Sequence, residues 1–337
     1  MGQDWLILDL DARTKYRMGK LGESFFDVGR DVVQMLWVRP PLPQFSFEVE
    51  GVNKNDVNAQ NNRSILSLPV ELLDMIFALL EGDWSDLLCF AATCLTLWPI
   101  AATHLRRRFQ RVQARRTSYG HRLVCLGDYT QADDPPPGLH LSEGERRESY
   151  GGDLYVFAYD HYASRGSIFG PDDGVVMSMI EALSRRPGYR DRDAQAMEDV
   201  LRQCLPKEAR FPRNDDGLVL RNLSKHAFVR GSALIAFNNG LPEHYEITGR
   251  AQLPCLGNAA LARICWSSSA SIAMPYDGPL HRGVWAGDRF DIVQEDVFER
   301  EREAGSRQPW EDATDEVLAE LKAMWIAEGL LVPLQKD

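Results

Sequence analysis

The stretch SILSLPVELLDMIFALLEGDWSDLLCFAATCLTLWPIAATHL, residues 64–105, determines how the rest of the chain is interpreted. It runs for 42 residues without a Lys or Arg, although the whole chain carries 38 of them. Leu68-Pro69 opens it, and a proline, whose φ is fixed, suits the first turn of a helix. Apolar residues then recur at i, i+3, i+4 and i+7, which predicts an amphipathic helix. These residues are Leu73, Ile76, Phe77 and Leu80.

Two more helices are predicted after the first one. Gly82 ends the first helix, and Asp83 or Ser85 is placed to cap the second. Pro99 lies near the start of a third helix, which continues into RRRFQRVQARR (106–116) because apolar residues keep helical spacing there. The apolar residues of the second helix are Leu87, Leu88, Phe90, Ala91 and Cys94.

Some apolar residues of this stretch fall outside the main helical face, namely Val70, Leu72 and Leu79. A unit of roughly 40 residues is near the lower limit for a self-sufficient core. The surplus apolar surface therefore indicates either a partner or a larger body of the same chain.

The spacing resembles that of the F-box family. The matching residues are Leu68-Pro-x-Glu71-Leu72-Leu73-x-x-Ile76-Phe77-x-x-Leu80 and Asp86-Leu87-Leu88-x-Phe90-Ala91-Ala92-Thr93-Cys94-x-x-Leu97-Trp98. The resemblance covers about residues 64–108, and Leu95 departs from the Lys or Arg that the family often carries after the Cys. The chain also begins MGQDW, and an MGQxW start ahead of an F-box resembles uncharacterised fungal members of that family.

The resemblance implies a three-helix element that docks on the Skp-type adaptor of a cullin-RING (SCF) ubiquitin ligase, with the rest of the chain selecting a protein substrate. The adaptor contacts that it implies are Leu68, Pro69, Glu71, Leu72, Ile76, Phe77, Leu87, Leu88 and Trp98. Two alternatives remain for this stretch. It could be a helical hairpin buried in a larger domain, or residues 87–105 could span a membrane. Polar residues and Pro99 within the run argue against the span.

Composition narrows the function classes. A net charge of −11 argues against general nucleic-acid binding, which needs a basic surface. Six cysteines spread over a long chain indicate free thiols in a reducing compartment. Acidic residues stand where a signal peptide would be basic, so we expect the cytoplasm or nucleus, with no membrane partner.

The pattern predicts an α+β protein with four segments. Residues 1–46 form a strand (4–10) and a helix (22–37), residues 47–63 a polar linker, residues 64–116 the F-box with its helical extension, and residues 117–337 a mixed α+β substrate-recognition domain. Within that domain, EGERRE (143–148) is predicted as a charged loop or turn. The predicted strands are 121–126, 154–159, 218–220, 233–237, 261–266 and 289–293, and the predicted helices are 175–183, 192–204 and 314–328.

The sequence carries few motifs that indicate catalysis or ligand binding. We find no motif of a nucleotide, hydrolase or zinc site, and therefore expect no catalytic residue, cofactor or metal. Cys125 or Cys265 paired with a distant His is the weak exception. A candidate substrate pocket is formed by Trp266, Trp285, Asp288 and Arg289; alternatively these residues belong to a strand–loop–strand core. A second candidate surface is the stretch VLRNLSKHAFVRG (219–231), which carries basic side chains along a possible edge strand.

Three hypotheses follow. The first is a non-catalytic substrate-recognition subunit of an SCF-type ligase, which binds an adaptor, a cullin and an unknown protein target. The second is a scaffold that uses the F-box outside any ligase. The third is an unrecognised enzyme or small-molecule binder that the F-box tethers.

Overall fold

The computed structural model describes residues 2–38, 65–92, 97–114, 117–149, 153–164, 212, 214–240, 245–247, 253–305 and 308–333. The strands are β1 Asp4–Asp9, β2 Thr14–Lys20, β3 His121–Gly127, β4 Ala163–Ser164, β5 Leu218–Asn222, β6 Ala227–Arg230, β7 Tyr245–Ile247, β8 Cys265–Trp266, β9 Arg289–Gln294, β10 Glu311–Asp312 and β11 Leu331–Pro333. The helices are α1 Leu21–Ser24, α2 Gly29–Leu36, α3 Val70–Leu80, α4 Trp84–Ala92, α5 Trp98–Ala114, α6 Glu143–Ser149, α7 Leu154–His161, α8 Gly231–Asn239, α9 Leu256–Ile264, α10 Glu295–Glu303 and α11 Thr314–Ala327.

The chain divides into two compact units. The sheet unit comprises Met1–Arg39, Arg116–Phe169 and Pro212–Asp337. The helical unit comprises Pro40–Arg115 and Gly170–Phe211. Helices and a mixed sheet confirm the predicted α+β class. The N-terminal strand and helices belong to the same unit as the C-terminal part of the chain.

The sheet unit is built on a nine-stranded mixed sheet, in which eight strands follow the order β10-β6-β5-β9-β3-β1-β2-β4 and the ninth, β8, pairs with β3. On the side away from β1, β3 pairs with two strands. His121 and Arg122 pair antiparallel with β9, and Cys125 and Leu126 pair parallel with β8. Both ends of the order are strands of two residues, β10 and β4. Very short edge strands limit pairing with another chain.

The core of this unit joins segments that are far apart in sequence. α2 crosses α9 so closely that a Cβ on Gly257 would lie 1.8 Å from the carbonyl oxygen of Gly29. Trp325 of α11 is fully buried. Its ring centroid lies 6.0 Å from that of Phe25 and 4.7 Å from that of Phe26, both in edge-on geometry. The N-terminal segment is therefore an integral part of this core.

Several predicted elements are confirmed and others are wrong. Strands 4–10, 121–126, 218–220 and 289–293 and the helix 314–328 lie where the pattern placed them. The predicted helix 22–37 is two helices, α1 and α2. Predicted strand 233–237 is part of α8, and predicted strand 261–266 is the end of α9 followed by the two-residue β8. All nine residues of α9 are buried, so this helix has no polar face to reveal its period.

Two further errors come from local capping that overrides composition. The predicted strand 154–159 is instead α7. The carboxylate of Asp153 caps its start by accepting a hydrogen bond from the Tyr155 N–H at 2.8 Å, which favours the helix. The predicted loop 143–148 is α6, which begins with a reciprocal capping box. There the Ser142 N–H donates to Glu145 at 2.7 Å, and the Glu145 N–H donates to Ser142 Oγ at 3.3 Å.

In the helical unit, a 3-10 turn at Ile65–Ser67 leads into three helices, α3, α4 and α5. Pro69 lies immediately before α3. The carboxylate of Asp83 accepts from the Asp86 N–H at 3.4 Å at the start of α4. The third helix continues to Ala114, as the apolar spacing predicted. The polar linker 47–63 and the predicted helices 175–183 and 192–204 lie outside the described residues.

Candidate functional site

One side of α3 carries apolar side chains that remain in solvent. Leu72, Met75 and Leu79 follow one another at i, i+3 and i+7, and Met75 and Leu79 are 61% and 84% exposed. The neighbouring face of the same helix buries Leu73 and Phe77. A helix that is apolar on both faces has more apolar surface than it buries against its neighbours, and surface of this kind is a candidate interaction site. We refer to Leu72, Met75 and Leu79 as the apolar stripe.

Five of the predicted adaptor contacts lie beside or within this stripe. Pro69, Glu71 and Leu72 are exposed. Leu68 and Ile76 are half-buried. These residues are available to a partner without unfolding the helix.

Two other predicted contacts lie in the interior. Phe77 and Leu87 are fully buried, and the Phe77 ring centroid lies 4.9 Å from that of Phe90. Their burial assigns them to packing between the helices, because a side chain with no exposed surface offers a partner nothing to contact. The side chains of Leu88 and Trp98 lie outside the described part of the structure.

A polar cluster fixes the opposite side of α3 to α5. His104 is fully buried, with Nδ1 2.7 Å from Glu81 Oε1 and Nε2 2.9 Å from Asp74 Oδ1. The guanidinium of Arg111 donates to Glu81 Oε2 at 2.5 Å. Burial works to raise the pKa of Glu81, but the bonds from His104 and Arg111 outweigh it and hold that pKa below its ordinary value. The imidazole also stacks on Phe77, with centroids 5.8 Å apart.

The two tryptophans of the predicted substrate pocket, Trp266 and Trp285, contact different residues. Trp285 is buried, and the guanidinium carbon of Arg263 lies 4.9 Å from its ring centroid. Trp266 is half-buried and donates from Nε1 to the carbonyl of Asp134 at 3.1 Å. Its ring is covered by Arg282, which also pairs with the Asp134 carboxylate at 2.9 and 2.5 Å. These contacts fasten a surface loop to β8.

Asp288 and Arg289 are likewise occupied by separate partners. Asn222 Nδ2 donates to Asp288 at 2.8 Å. Burial raises the pKa of Asp288 despite that bond. Arg289 donates to the carbonyl of Gly120 at 2.8 Å and pairs with Asp11 at 2.9 Å. The four predicted pocket residues thus make four sets of structural contacts, which favours the strand–loop–strand interpretation.

The other candidates in the sheet unit are the two cysteines, which are buried, and the basic stretch 219–231, which is buried in part. Cys125 and Cys265 are register partners on β3 and β8, and neither thiol is exposed. Burial, assisted by Cys125, raises the pKa of Cys265 well above its ordinary value, which suppresses its thiolate. Of the predicted basic edge at 219–231, β5 is interior because it lies between β6 and β9, whereas β6 has only the two-residue β10 on its other side and Lys225 is exposed. There Arg221 pairs with Asp291 through two bonds of 2.8 and 2.7 Å.

Across the residues that the structure describes, no three His, Cys, Asp or Glu side chains group closely enough to hold a metal ion. In the same part of the chain, no helix is both long and apolar enough to cross a membrane.

Sequence reasoning identified only part of this site. Leu72 and Leu79 were noticed as surplus apolar residues, whereas Met75 was missed. The signal was present as a second helical stripe at positions 72, 75 and 79. The bridge from His104 to Asp74 and Glu81 had no comparable signal, because its partners are 30 and 23 residues away in the chain. Comparisons with protein-family models, with curated proteins and with solved structures each found no match.

Proposed function

We propose that residues 64–116 are an F-box that docks on a Skp-type adaptor, and that the protein is a substrate-recognition subunit of an SCF-type ubiquitin ligase in the cytoplasm or nucleus. The observation that supports it most is the apolar stripe of Leu72, Met75 and Leu79 directly after Leu68-Pro69. This pairing of a leucine-proline start with an outward apolar helix face is what docking of that family's kind requires.

The stripe suits a groove that is lined by apolar side chains. A partner that covered Met75 and Leu79 would remove large apolar areas from water, at about 25 cal/mol per Å². Such a helix face laid into a groove is a common mode of recognition, with anchors at i, i+3 and i+7. Glu71 lies exposed next to the stripe and supplies a polar rim.

The protein then acts through proximity. The helical unit binds the ligase and the sheet unit binds a protein target, which raises the effective concentration of target lysines near the ubiquitin-carrying enzyme. The chain itself performs no covalent step in this proposal. It requires only that both units bind their partners at the same time.

The test is the affinity of the purified full chain for a Skp-type adaptor. Combining Leu68→Ala with Pro69→Ala should cost about 2 kcal/mol or more, which is roughly 30-fold in Kd. A second variant, Leu72→Ser with Leu79→Ser, should weaken binding at least as much, because it removes two anchors of the stripe. Circular dichroism of each variant establishes that the helices are retained.

Ile326→Ala is the matched control, since Ile326 is an exposed apolar residue of the sheet unit. It should leave the adaptor affinity unchanged. Equal affinity for the wild type and both helical-unit variants, with the helices intact, would sink the proposal. Binding of the adaptor without any cullin in the complex would favour the scaffold function instead.

A further inference from the structure

Two cations of the sheet unit lie on the face of β2 that α7 approaches. Lys15 and Arg17 are two residues apart on this strand, so their side chains lie on the same face. Their register partners on β1 are Leu8 and Leu6, which belong to the apolar cluster that α7 also enters. The face of the sheet that is apolar at β1 is therefore cationic at β2, beside the same helix.

Tyrosines at α7 lie against these cations. The Nζ of Lys15 lies 4.5 Å from the ring centroid of Tyr159, and the guanidinium carbon of Arg17 lies 6.0 Å from the same centroid. Arg13, just before β2, has its guanidinium carbon 5.5 Å from the ring centroid of Tyr162. Cations are attracted to aromatic faces, so the rings order these long side chains before any ligand binds. A ligand then loses less affinity to the ordering of the site.

The cations at the two ends of this row have acidic partners. Arg13 pairs with Glu145 on α6. Lys20, the last residue of β2, pairs with Asp4 at 3.3 Å. Asp128 lies within electrostatic reach of the latter pair, and burial raises its pKa. The acidic groups near the row are thus at its ends.

The two cations in the middle have no acidic partner among the residues that the structure describes. Lys15 is only 9% exposed, and its ammonium donates to the main-chain carbonyl of Tyr159 in the last turn of α7, which uses one of three donors. Arg17 is exposed, and its guanidinium forms no hydrogen bond within the described ranges. Its planar fork of N–H donors matches the two oxygens of a carboxylate.

Apolar surface adjoins the two unpaired cations. Val156 lies one turn before Tyr159 on α7, and the two side chains are 50% and 41% exposed. A ligand that places a carboxylate at Arg17 can therefore cover apolar area with a neighbouring side chain. This combination fits a peptide better than an inorganic anion. Two unpaired cations are also too few for the row of phosphates that a nucleic acid presents, and the net charge of the chain is −11.

We propose that Lys15, Arg17, Val156 and Tyr159 form the site at which the sheet unit binds its protein target, and that the target presents a short acidic segment there. One or two carboxylates of the segment pair with Arg17 and Lys15, and an adjacent apolar side chain packs on Val156 and Tyr159. This assignment rests on the proposed function in that it names the kind of target, whereas binding of the segment itself requires no adaptor.

The first experiment compares two fluorescein-labelled ten-residue peptides with the purified full chain. One peptide consists of Glu and Leu, and the matched peptide carries Gln in place of every Glu. Fluorescence anisotropy should show that the acidic peptide binds on the order of tenfold more tightly or better, because only carboxylates form charge-assisted bonds with the two cations. Added salt should weaken this binding, since Arg17 is exposed to solvent. Equal affinity for the two peptides would overturn the proposal.

Substitutions locate the binding on this face. Arg17→Gln should weaken the acidic peptide on the order of tenfold, and Arg17→Lys, which keeps the charge but loses the fork, should fall between that variant and the wild type. Arg300→Gln is the matched control, because Arg300 is an exposed arginine of α10. Wild-type affinity in Arg17→Gln would overturn the assignment of the site. Circular dichroism checks that each variant is folded.

Lys15→Met and Val156→Ser test the rest of the site. Each should weaken the acidic peptide, and Val156→Ser should also reduce the preference for a peptide with Leu over one in which Ala replaces it. Because Lys15 is nearly buried, its variant is read only if circular dichroism shows a folded chain; otherwise Arg17→Gln decides the charge contribution. Full affinity in a folded Lys15→Met would remove Lys15 from the site, and full affinity in Val156→Ser would refute the apolar contact.

Two further results separate the proposals. A ten-nucleotide oligouridylate that binds more tightly than the acidic peptide, with the same loss in Arg17→Gln, would overturn the assignment to a peptide. A chain that captures the adaptor but shows no preference for the acidic peptide would refute this site alone. A chain that prefers the acidic peptide but captures no adaptor would leave the site standing and refute the ligase function.

Discussion

The two units differ in how far they bury their large apolar side chains. The sheet unit buries Trp5, Trp37 and Trp325 completely. The helical unit leaves Met75 and Leu79 of a single helix 61% and 84% exposed. The sheet unit also exposes apolar side chains, among them Val156 and Tyr159 on α7, which are 50% and 41% exposed. Some exposed apolar residues are normal for a protein surface. The sheet unit therefore places its largest apolar side chains in a core, whereas α3 of the helical unit keeps a continuous apolar stripe in solvent, which supports the proposed partner.

The largest effect should come from opening the core of the sheet unit. Trp325→Ala removes a fully buried ring that packs on Phe25 and Phe26. We expect a loss of about 3–5 kcal/mol in the free energy of unfolding. Urea unfolding followed by circular dichroism measures it. Ile326→Ala, the exposed next residue, should stay within about 0.5 kcal/mol, and equal losses in both variants would contradict the core assigned to Trp325.

The same contrast exists within α3 two residues apart. Phe77→Ala opens the interior of the helical unit and should destabilise it by about 3 kcal/mol. Leu79→Ala removes a side chain that is 84% exposed and should change stability by less than about 0.5 kcal/mol. Hydrogen exchange of the α3 amides reports on this unit alone. Similar protection losses in the two variants would show that the stripe is part of the core.

Asp31, a partly buried carboxyl group of the sheet unit, should make the stability of the protein depend on pH. Burial raises the pKa of Asp31 to about 6, against the opposing charge of Arg30. The folded state therefore binds this proton more tightly than the unfolded chain, so its stabilisation is complete below about pH 4 and is lost as the pH rises through about 6. Asp31→Asn should raise the Tm at pH 7.5, with a gain that shrinks toward pH 4. Asp27→Asn, at an exposed position, is the control, and a gain that did not vary with pH would contradict this origin.

The smallest effect should occur at an exposed helix start. Arg13 and the Ser142 cap lower the pKa of Glu145 to about 2. This carboxylate stabilises the folded state above its ordinary pKa of 4.5, and the contribution is lost as the pH falls toward 2. Glu145→Gln should cost about 1 kcal/mol or less at pH 7, because surface pairs are screened. Glu143→Gln on the same helix should cost less still. A thermal scan of both variants at pH 7 and pH 3 checks the order.

The accuracy of the sequence-based prediction follows the same division between the units. The helices α3, α4 and α5 were predictable because each keeps an apolar period that its own residues display, as Leu73 and Phe77 do on α3. In the sheet unit, α9 is buried on every side and shows no period. α6 begins with a capping box between Ser142 and Glu145, and α7 begins with a cap at Asp153; a pattern of apolar residues does not reveal such contacts.

Sites built from one helix were easier to foresee than sites built across the fold. The apolar stripe is local, so surplus residues such as Leu72 already indicated it. The bridge from His104 to Asp74 and Glu81 forms only when α3 and α5 pack in one register. The sequence of either helix alone does not specify that register. The Asp288-Arg289 pair shows the opposite situation: these neighbours in sequence were predicted to share a pocket, and in the structure their side chains have different partners.

The most direct test of the account is co-expression of the full chain with a Skp-type adaptor and a cullin, beside the variant that carries Leu72→Ser and Leu79→Ser. The account predicts that the wild-type chain captures both proteins and that the variant, still folded, captures neither. Capture of both by the folded variant, or of neither by the wild type, would contradict the claim that the apolar stripe of α3 is the surface that joins this protein to a ligase.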